Sequence, residues 1–334
     1  MPRIQDSSEI LNCGMDVFMK KIFVDGLRPG DPVDEMFVLS EKTLSHKRDG
    51  GLYLNACLAD RTGRIRAVAW DNADVIAKAV RTGSVVRVTG QTSEYKGTPQ
   101  IIIAAMEDAG GEDIDPADFL PSTRRDRDQM FRRLTAMTDT LSSGHLRALL
   151  DRFWSDESFV EKFKTAPAAK LMHHAYIGGL LEHTLSLTLL ADNVSGHYSG
   201  IDRDLLVCSA ILHDIGKIYE FDYNTHIDYS DEGRLISHIV IGVGMIDKKI
   251  EELPDFPKET ALLLRHMIIS HHGAREFGSP EPPKTLEAVL LNYLDEIDSK
   301  INGIRTFMDN QDPESAWTGY HRPLERFFYR KKAE

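Results

Sequence analysis

The stretch ILHDIGK, residues 211 to 217, sets a His beside an Asp inside an apolar run. Leu205, Cys208, Leu212 and Ile215 recur there at three- and four-residue steps, the spacing of a helix with one face turned to a core. A bare carboxylate in such a place is costly. Either His213 and Asp214 satisfy each other as a buried polar pair, or a cation sits over them. Ten of the thirteen histidines lie between His173 and His272, a density that core packing does not require. In YIGGLLEHTLSLTLLA, the stripe Tyr176, Leu180, Leu187, Leu190 includes His183, and a lone His on such a stripe is more often a hydrogen-bonded core residue than a ligand. The pattern then repeats with His238 in RLISHIVIG, His271 and His272 in IISHHG, and Asp295 in LLNYLDEIDSK. One buried metal centre accounts for all of them, whereas a His213 and Asp214 pair leaves the others unexplained.

Imidazole and carboxylate donors without thiolate suit Mn, Fe, Zn, Co or Ni and do not choose among them. Two carboxylates and five imidazoles exceed what one ion uses when it keeps a position open for water. Two divalent ions are therefore expected, with Asp214 between them.

The elements that must position these residues fall into two halves. Residues 33 to 107 read as strands: VDEMFVLSEKTL, GLYLNACLAD, GRIRAVAW, GSVVRVTGQTSEY and TPQIIIAAME are rich in β-branched and aromatic residues and are separated by RDGG, RTG and KGTP turns. One short helix, in DNADVIAKAVRTG, falls between the third and fourth strands. That order is the one of an OB-fold barrel, a scaffold whose strand face binds single-stranded nucleic acid. The break AGGEDIDPADFLPSTRRDRD reads as a linker, and from MFRRLTAMTDTL onward the apolar spacing is helical, with Pro167 closing the connecting segment.

Net charge is -12, which by itself disfavours a phosphate-binding surface. Its distribution is uneven, however. Residues 42 to 96 hold ten Lys or Arg against five acids, a local charge of +5, and the rest of the chain carries about -17. A basic module joined to an acidic body fits this asymmetry, and so does a solvated charged face without a partner. In the module, Tyr53 and Tyr95 are candidates for base stacking, with Lys47, Arg48, Arg64, Arg66 and Lys96 for phosphates. Trp70 is a third stacking candidate, although a core position is the stronger expectation for it.

Cys13, Cys57 and Cys208 lie far apart without a C-x-x-C pair, so neither a disulfide framework nor a zinc knuckle is indicated. Cys208 reads as a small core residue. The start MPRIQDSSEI lacks the features of a signal peptide, and no run of about 18 apolar residues occurs. A cytoplasmic location is the expectation, and a homo-oligomer is compatible with the sequence.

The order H…HD…H…HH…D, centred on HDIGK, resembles the HD-domain metal-dependent phosphohydrolases. HHAYIGGLLEHT, ILHDIGKIYEF, SHIVIGVGMI, SHHGAREFGSPEPP and YLDEIDSKI together resemble the YhaM-type 3'-5' exoribonucleases over roughly residues 15 to 330. One departure is Ser237, where a Gly is expected before His238. The resemblance implies an α+β multidomain chain: an N-terminal five-stranded OB-fold barrel over residues 1 to 107, a linker and connecting helices over 108 to 166, an all-α HD domain over 167 to 310, and a C-terminal segment over 311 to 334. It also implies two divalent ions, manganese first and iron, cobalt, nickel or zinc compatible. His183, His213, Asp214 and Asp295 would hold one ion, and Asp214, His238, His271 and His272 the other. Asp214, Lys217 and His174 are its catalytic candidates. Lys217, four residues after His213 on one helix face, either holds the scissile phosphate or is a surface cation at a helix end marked by Gly216. His173 and His174 are expected against substrate or leaving group, His266 behind the site or in the core, and residues 273 to 283 as a loop at its entrance. The implied activity is shortening of single-stranded RNA, and of DNA as a further substrate, to nucleoside 5'-monophosphates. A phosphohydrolase of free or cyclic nucleotides with a regulatory OB domain, and a binding protein with an inactive HD domain, are the alternatives.

Overall fold

The computed structural model describes residues 20–47, 50–95, 97–109, 115–170, 174–309, 311 and 315–331; Cys13, Arg48, Lys96 and His173 lie outside them. The chain divides into two compact units, Met1–Phe119 and Leu120–Glu334.

The first unit is a closed barrel of β1 (Pro32–His46), β2 (Leu52–Asp60), β3 (Gly63–Ala69), β4 (Val85–Tyr95) and β5 (Thr98–Asp108), with α1 (Ala73–Ala79) between β3 and β4. Its strand order is β1-β2-β3-β5-β4, closed by antiparallel pairing of β1 with β4, so the five strands leave no open edge. Period-two alternation selects the core: Leu54, Ala56 and Leu58 of β2 point inward, and Tyr53, Asn55 and Cys57 between them do not. Lys42 is drawn out of the basic surface, because its ammonium donates to the carbonyls of Ala77 (2.5 Å) and Val80 (2.6 Å) at the end of α1. Trp70 is not a core residue. It follows the last residue of β3, past the end of the inward-facing alternation, and is 45% exposed.

The second unit is built on α2 (Arg127–Asp139), α3 (Gly144–Trp154), α4 (Glu157–Thr165), α5 (Gly179–Ser195), α6 (Arg203–Leu212), α7 (Lys217–Glu220), α8 (Asp231–Glu251), α9 (Lys258–Ser270) and α10 (Leu286–Asp309), with a small hairpin of β6 (Phe221–Asp222) and β7 (Asp228–Tyr229). Asp126, Ser143, Asp156, Asp202 and Ser230 cap their helices by accepting a first-turn N–H. One apolar cluster runs from Leu134 and Phe163 through Leu180, Leu206 and Leu212 to Leu264 and Leu291. Helices α2 to α4, placed with the connecting segment by the sequence, share this core. Among the described residues no helix is long and apolar enough to cross a membrane.

Two helical runs are shorter than their periodicity suggests. Helix α5 begins at Gly179, after Gly178 at φ 79°, so Tyr176 precedes it. The run through HDIGK is broken as well: α6 ends at Leu212, and His213 to Gly216 form a turn before α7. His213 and Lys217 therefore do not share one continuous helix face.

Candidate metal centre and nucleic-acid face

Five elements bring the candidate ligands together. His183 comes from α5, His213 and Asp214 from the turn after α6, His238 from α8, His271 and His272 from the end of α9, and Asp295 from α10. Gly216 permits a close approach. A Cβ there would lie 2.0 Å from the His238 carbonyl oxygen and 2.8 Å from the Gly242 nitrogen, so only glycine lets α8 pack on the turn that carries Asp214.

Asp214 divides the constellation. Its Oδ2 lies 3.2 Å from His213 Nε2 and 3.7 Å from His183 Nε2, and His183 Nε2 is 3.2 Å from Asp295 Oδ1. Its Oδ1 lies 3.5 Å from His238 Nε2 and 3.6 Å from His271 Nε2, with the His272 ring 4.2 Å from that of His271. The donor atoms of Asp214, His238, His271 and His272 form one group compact enough to hold an ion, and those of His183, His213 and Asp214 form another.

Backbone and side-chain acceptors orient the imidazoles. His213 and His271 each stand at a helix C-terminus, where carbonyls lack intrahelical partners. Each donates Nδ1–H to the carbonyl three residues earlier, His213 to Ala210 (2.9 Å) and His271 to Ile268 (2.6 Å). A carbonyl only accepts, so Nδ1 carries a proton, and in the neutral ring the Nε2 lone pair faces the centre. Carboxylates orient His183 and His238: His183 Nδ1 meets Asp298 Oδ2 at 2.8 Å, and His238 Nδ1 meets Glu220 Oε1 at 2.8 Å. Each half of the constellation thus has one carbonyl-held and one carboxylate-held histidine.

The electrostatics agree with a cation site. Burial disfavours the Asp214 charge, yet His213 and Lys217 outweigh it and hold the carboxyl well below its usual range. Burial likewise opposes a charge on His183, but Asp295 and Asp298 raise its pKa to about 10. Burial, with His271 and His238 alongside, lowers His272 to about 3. Four buried atoms, Asp214 Oδ1, His238 Nε2, His271 Nε2 and His272 Nδ1, have no hydrogen-bond partner. Each such atom costs roughly 1–3 kcal/mol, and they converge. A divalent cation satisfies them together, so the residues present fit a metal.

Lys217 is neither a surface cation nor a free one. It is buried, and its ammonium lies 2.6 Å from Asp214 Oδ2; burial disfavours its charge, but the Asp214 carboxylate raises its pKa. His174, 3% exposed, lies behind His183: its Nε2 is 3.1 Å from Asp298 Oδ2 and its Nδ1 2.9 Å from the Tyr176 hydroxyl. His266 accepts from the Lys284 amide at the edge of the following loop. Sequence reading missed Asp298 and Glu220. The signal for Asp298 was its place three residues after Asp295, on the same side of one helix. Glu220 offered only an acid within the apolar KIYEF stretch.

On the barrel, Tyr53 stacks on Trp70 with centroids 5.0 Å apart, and Lys47 Nζ lies 5.9 Å from the Trp70 ring. The Arg66 guanidinium is 5.7 Å from the Tyr95 ring and donates to Asn55 Oδ1 (2.9 Å). Arg64 and Arg66 are exposed, as is Tyr95. Aromatic faces and cations so interleaved are suited to single strands.

The family model described as an HD domain matches residues 180–300, and the one described as an OB-fold nucleic acid binding domain matches residues 38–109. The chain is 32% identical over 302 residues to the 3'-5' exoribonuclease YhaM of Geobacillus sp. (strain WCH70), covering 90% of this chain and 92% of that relative. It is also 32% identical over 287 residues to the 3'-5' exoribonuclease YhaM of Bacillus subtilis (strain 168), covering 85% and 90%. Among solved structures, the second OB-fold domain of replication protein A from Methanococcus maripaludis overlaps 27% of this chain and 94% of its own, at 18% identity and a TM-score of 0.23.

Proposed function

Because the chain belongs to the YhaM family of 3'-5' exoribonucleases, with an HD domain and an OB-fold domain, we propose that it shortens single-stranded RNA from the 3' end to nucleoside 5'-monophosphates. DNA single strands are a second substrate of the same chemistry. The observation that carries this reading is the division of Asp214, one oxygen turned to each of two ligand clusters. We assign two divalent ions to these clusters, manganese by preference, with iron, cobalt, nickel or zinc matching the same donors. Bound there, such ions supply a lowered pKa for water and charge neutralisation for a phosphodiester.

The protein's own residues prepare the centre. Asp214 presents both oxygens, and Lys217 fixes Oδ2 and neutralises part of its charge. Asp298 and Glu220 hold His183 and His238 in the ligating orientation, and His174 supports Asp298 from behind. In this reading Lys217 and His174 position other groups and do not touch the phosphate. Tyr53, Trp70 and Tyr95, with Lys47, Arg64 and Arg66, form the strand-binding face of the barrel.

The test is to incubate 5'-labelled single-stranded RNA with the protein and manganese and resolve the products. A ladder shortening from the 3' end, with nucleoside 5'-monophosphates released, is expected. Rapid hydrolysis of a cyclic dinucleotide or a nucleoside triphosphate, with no shortening of a linear oligomer under any divalent metal, would overturn the reading.

A further inference from the structure

The candidate metal centre opens on one side into a cavity of about 620 Å3 in the helical unit, and His272 and Asp295 line it. That volume lies within the range of small-ligand pockets, which bind through apolar walls and a few polar groups. The walls here come from three places. Helix α10, which carries Asp295, adds Tyr293 and Ile304; the loop after His272 adds Phe277; the C-terminal segment adds Leu324. Tyr293 is 58% exposed and Phe277 73% exposed, large aromatic surface left to the solvent beside a buried charge cluster.

Beyond the His272 and Asp295 end, three polar side chains of the cavity are engaged by the protein. Asn292 donates to the His271 carbonyl (2.8 Å), Ser299 to Asp295 Oδ1 (3.3 Å), and Lys300 to Glu296. A ligand in this cavity therefore meets aromatic and aliphatic faces more than a hydrogen-bonding code. Such a lining accepts a nucleobase by its face, because every base has a π-surface.

We infer that this cavity seats the 3'-terminal nucleoside of the strand, held by stacking on Tyr293 and Phe277 with little discrimination among bases. The inference deepens the exonuclease reading and rests on it. In release of a nucleoside 5'-monophosphate, water forms the new P–O bond, the bond from phosphorus to the penultimate O3' breaks, and that O3' leaves with a proton. The phosphate stays on O5' of the terminal nucleoside. A phosphate at the His272 and Asp295 end of the cavity thus directs that nucleoside, one sugar away, into the space lined by Tyr293.

Two measurements test this on the full-length, manganese-loaded protein. In calorimetry, adenosine 5'-monophosphate should bind about five- to a hundredfold more tightly than ribose 5-phosphate, and Tyr293→Ala should bring the two affinities together. In single-strand hydrolysis, an abasic 3'-terminal nucleotide should raise KM for the native protein about tenfold, and Tyr293→Ala should be insensitive to that change. An abasic penultimate nucleotide should have no such effect. Metal content and melting temperature report whether the variant is folded, and Phe277→Ala repeats the comparison if it is not. Equal binding of the two phosphates, or an effect carried by the penultimate base, overturns the inference while leaving exonuclease activity in place. Failure of the native protein to shorten any oligomer instead sinks the exonuclease reading, and the calorimetry still reports on the cavity.

Discussion

Asp60 in the barrel and Asp214 in the helical unit are both buried acids, and the chain treats them differently. Asp60 Oδ2 accepts from the Val24 amide (2.8 Å), and Oδ1 accepts from the Thr62 amide (2.9 Å) and hydroxyl (2.7 Å), so both of its oxygens are used locally. Asp214 has the Lys217 ammonium on Oδ2 and no hydrogen-bond partner on Oδ1, where three imidazole nitrogens are equally unpartnered. Asp60 is completed by the chain around it. Asp214 remains incomplete beside other incomplete donors, an arrangement that a cation would complete. The two units differ in the same way on a larger scale, with the barrel's aromatic and basic groups exposed on its surface and the helical unit's reactive groups inside.

Asp214→Ala tests the comparison hardest. Hydrolysis should fall by at least about 10^3-fold, while binding of a labelled single strand, read by fluorescence anisotropy, stays near that of the native protein. Equal losses in both assays would mean that the barrel's surface is not the strand-binding element. Glu220→Gln and Asp298→Asn keep hydrogen-bonding shape but remove charge behind His238 and His183. Each should weaken manganese affinity by roughly 10- to 100-fold in titration calorimetry, and an unchanged affinity would show that these carboxylates are structural in the manner of Asp60.

The barrel side is sharpened by Trp70→Ala. Removing this exposed ring from its stack with Tyr53 should weaken strand binding by about 1–3 kcal/mol, without lowering the melting temperature. A large loss of stability instead would return Trp70 to the core. The smallest effect concerns Ser237, which sits within α8 at φ 62°, ψ 160°, a conformation essentially reserved for glycine. Ser237→Gly should relieve that strain and stabilise the protein by about 1 kcal/mol net of glycine's entropy, measured as a raised denaturation midpoint. No shift in the midpoint would mean that the neighbouring packing, including the Glu220 bond to the His238 amide (2.9 Å), sets this backbone at no cost.

The strands of the barrel, the helix between β3 and β4, and the candidate ligands from His183 to Asp295 were legible in the sequence. Their signals are local: alternation, turn residues, and polar residues within apolar helical runs, each enforced by burial of a neighbouring face. The glycine that the family resemblance puts before His238 finds its physical reason in the backbone at Ser237. What tertiary structure alone decided depends on elements far apart in the chain. The turn at His213 to Gly216 packs against α8 at a glycine, a contact between segments that periodicity does not report. The burial of Lys217 on Asp214, and of His174 behind His183, follows from helices closing around them, which no periodicity reports. Asp298 and Glu220 reach the Nδ1 atoms of His183 and His238 only because α10 and α7 bring them there. Composition and spacing named the donors, because ligand chemistry depends on residue type; their orientation and the cavity beside them depend on packing between distant segments.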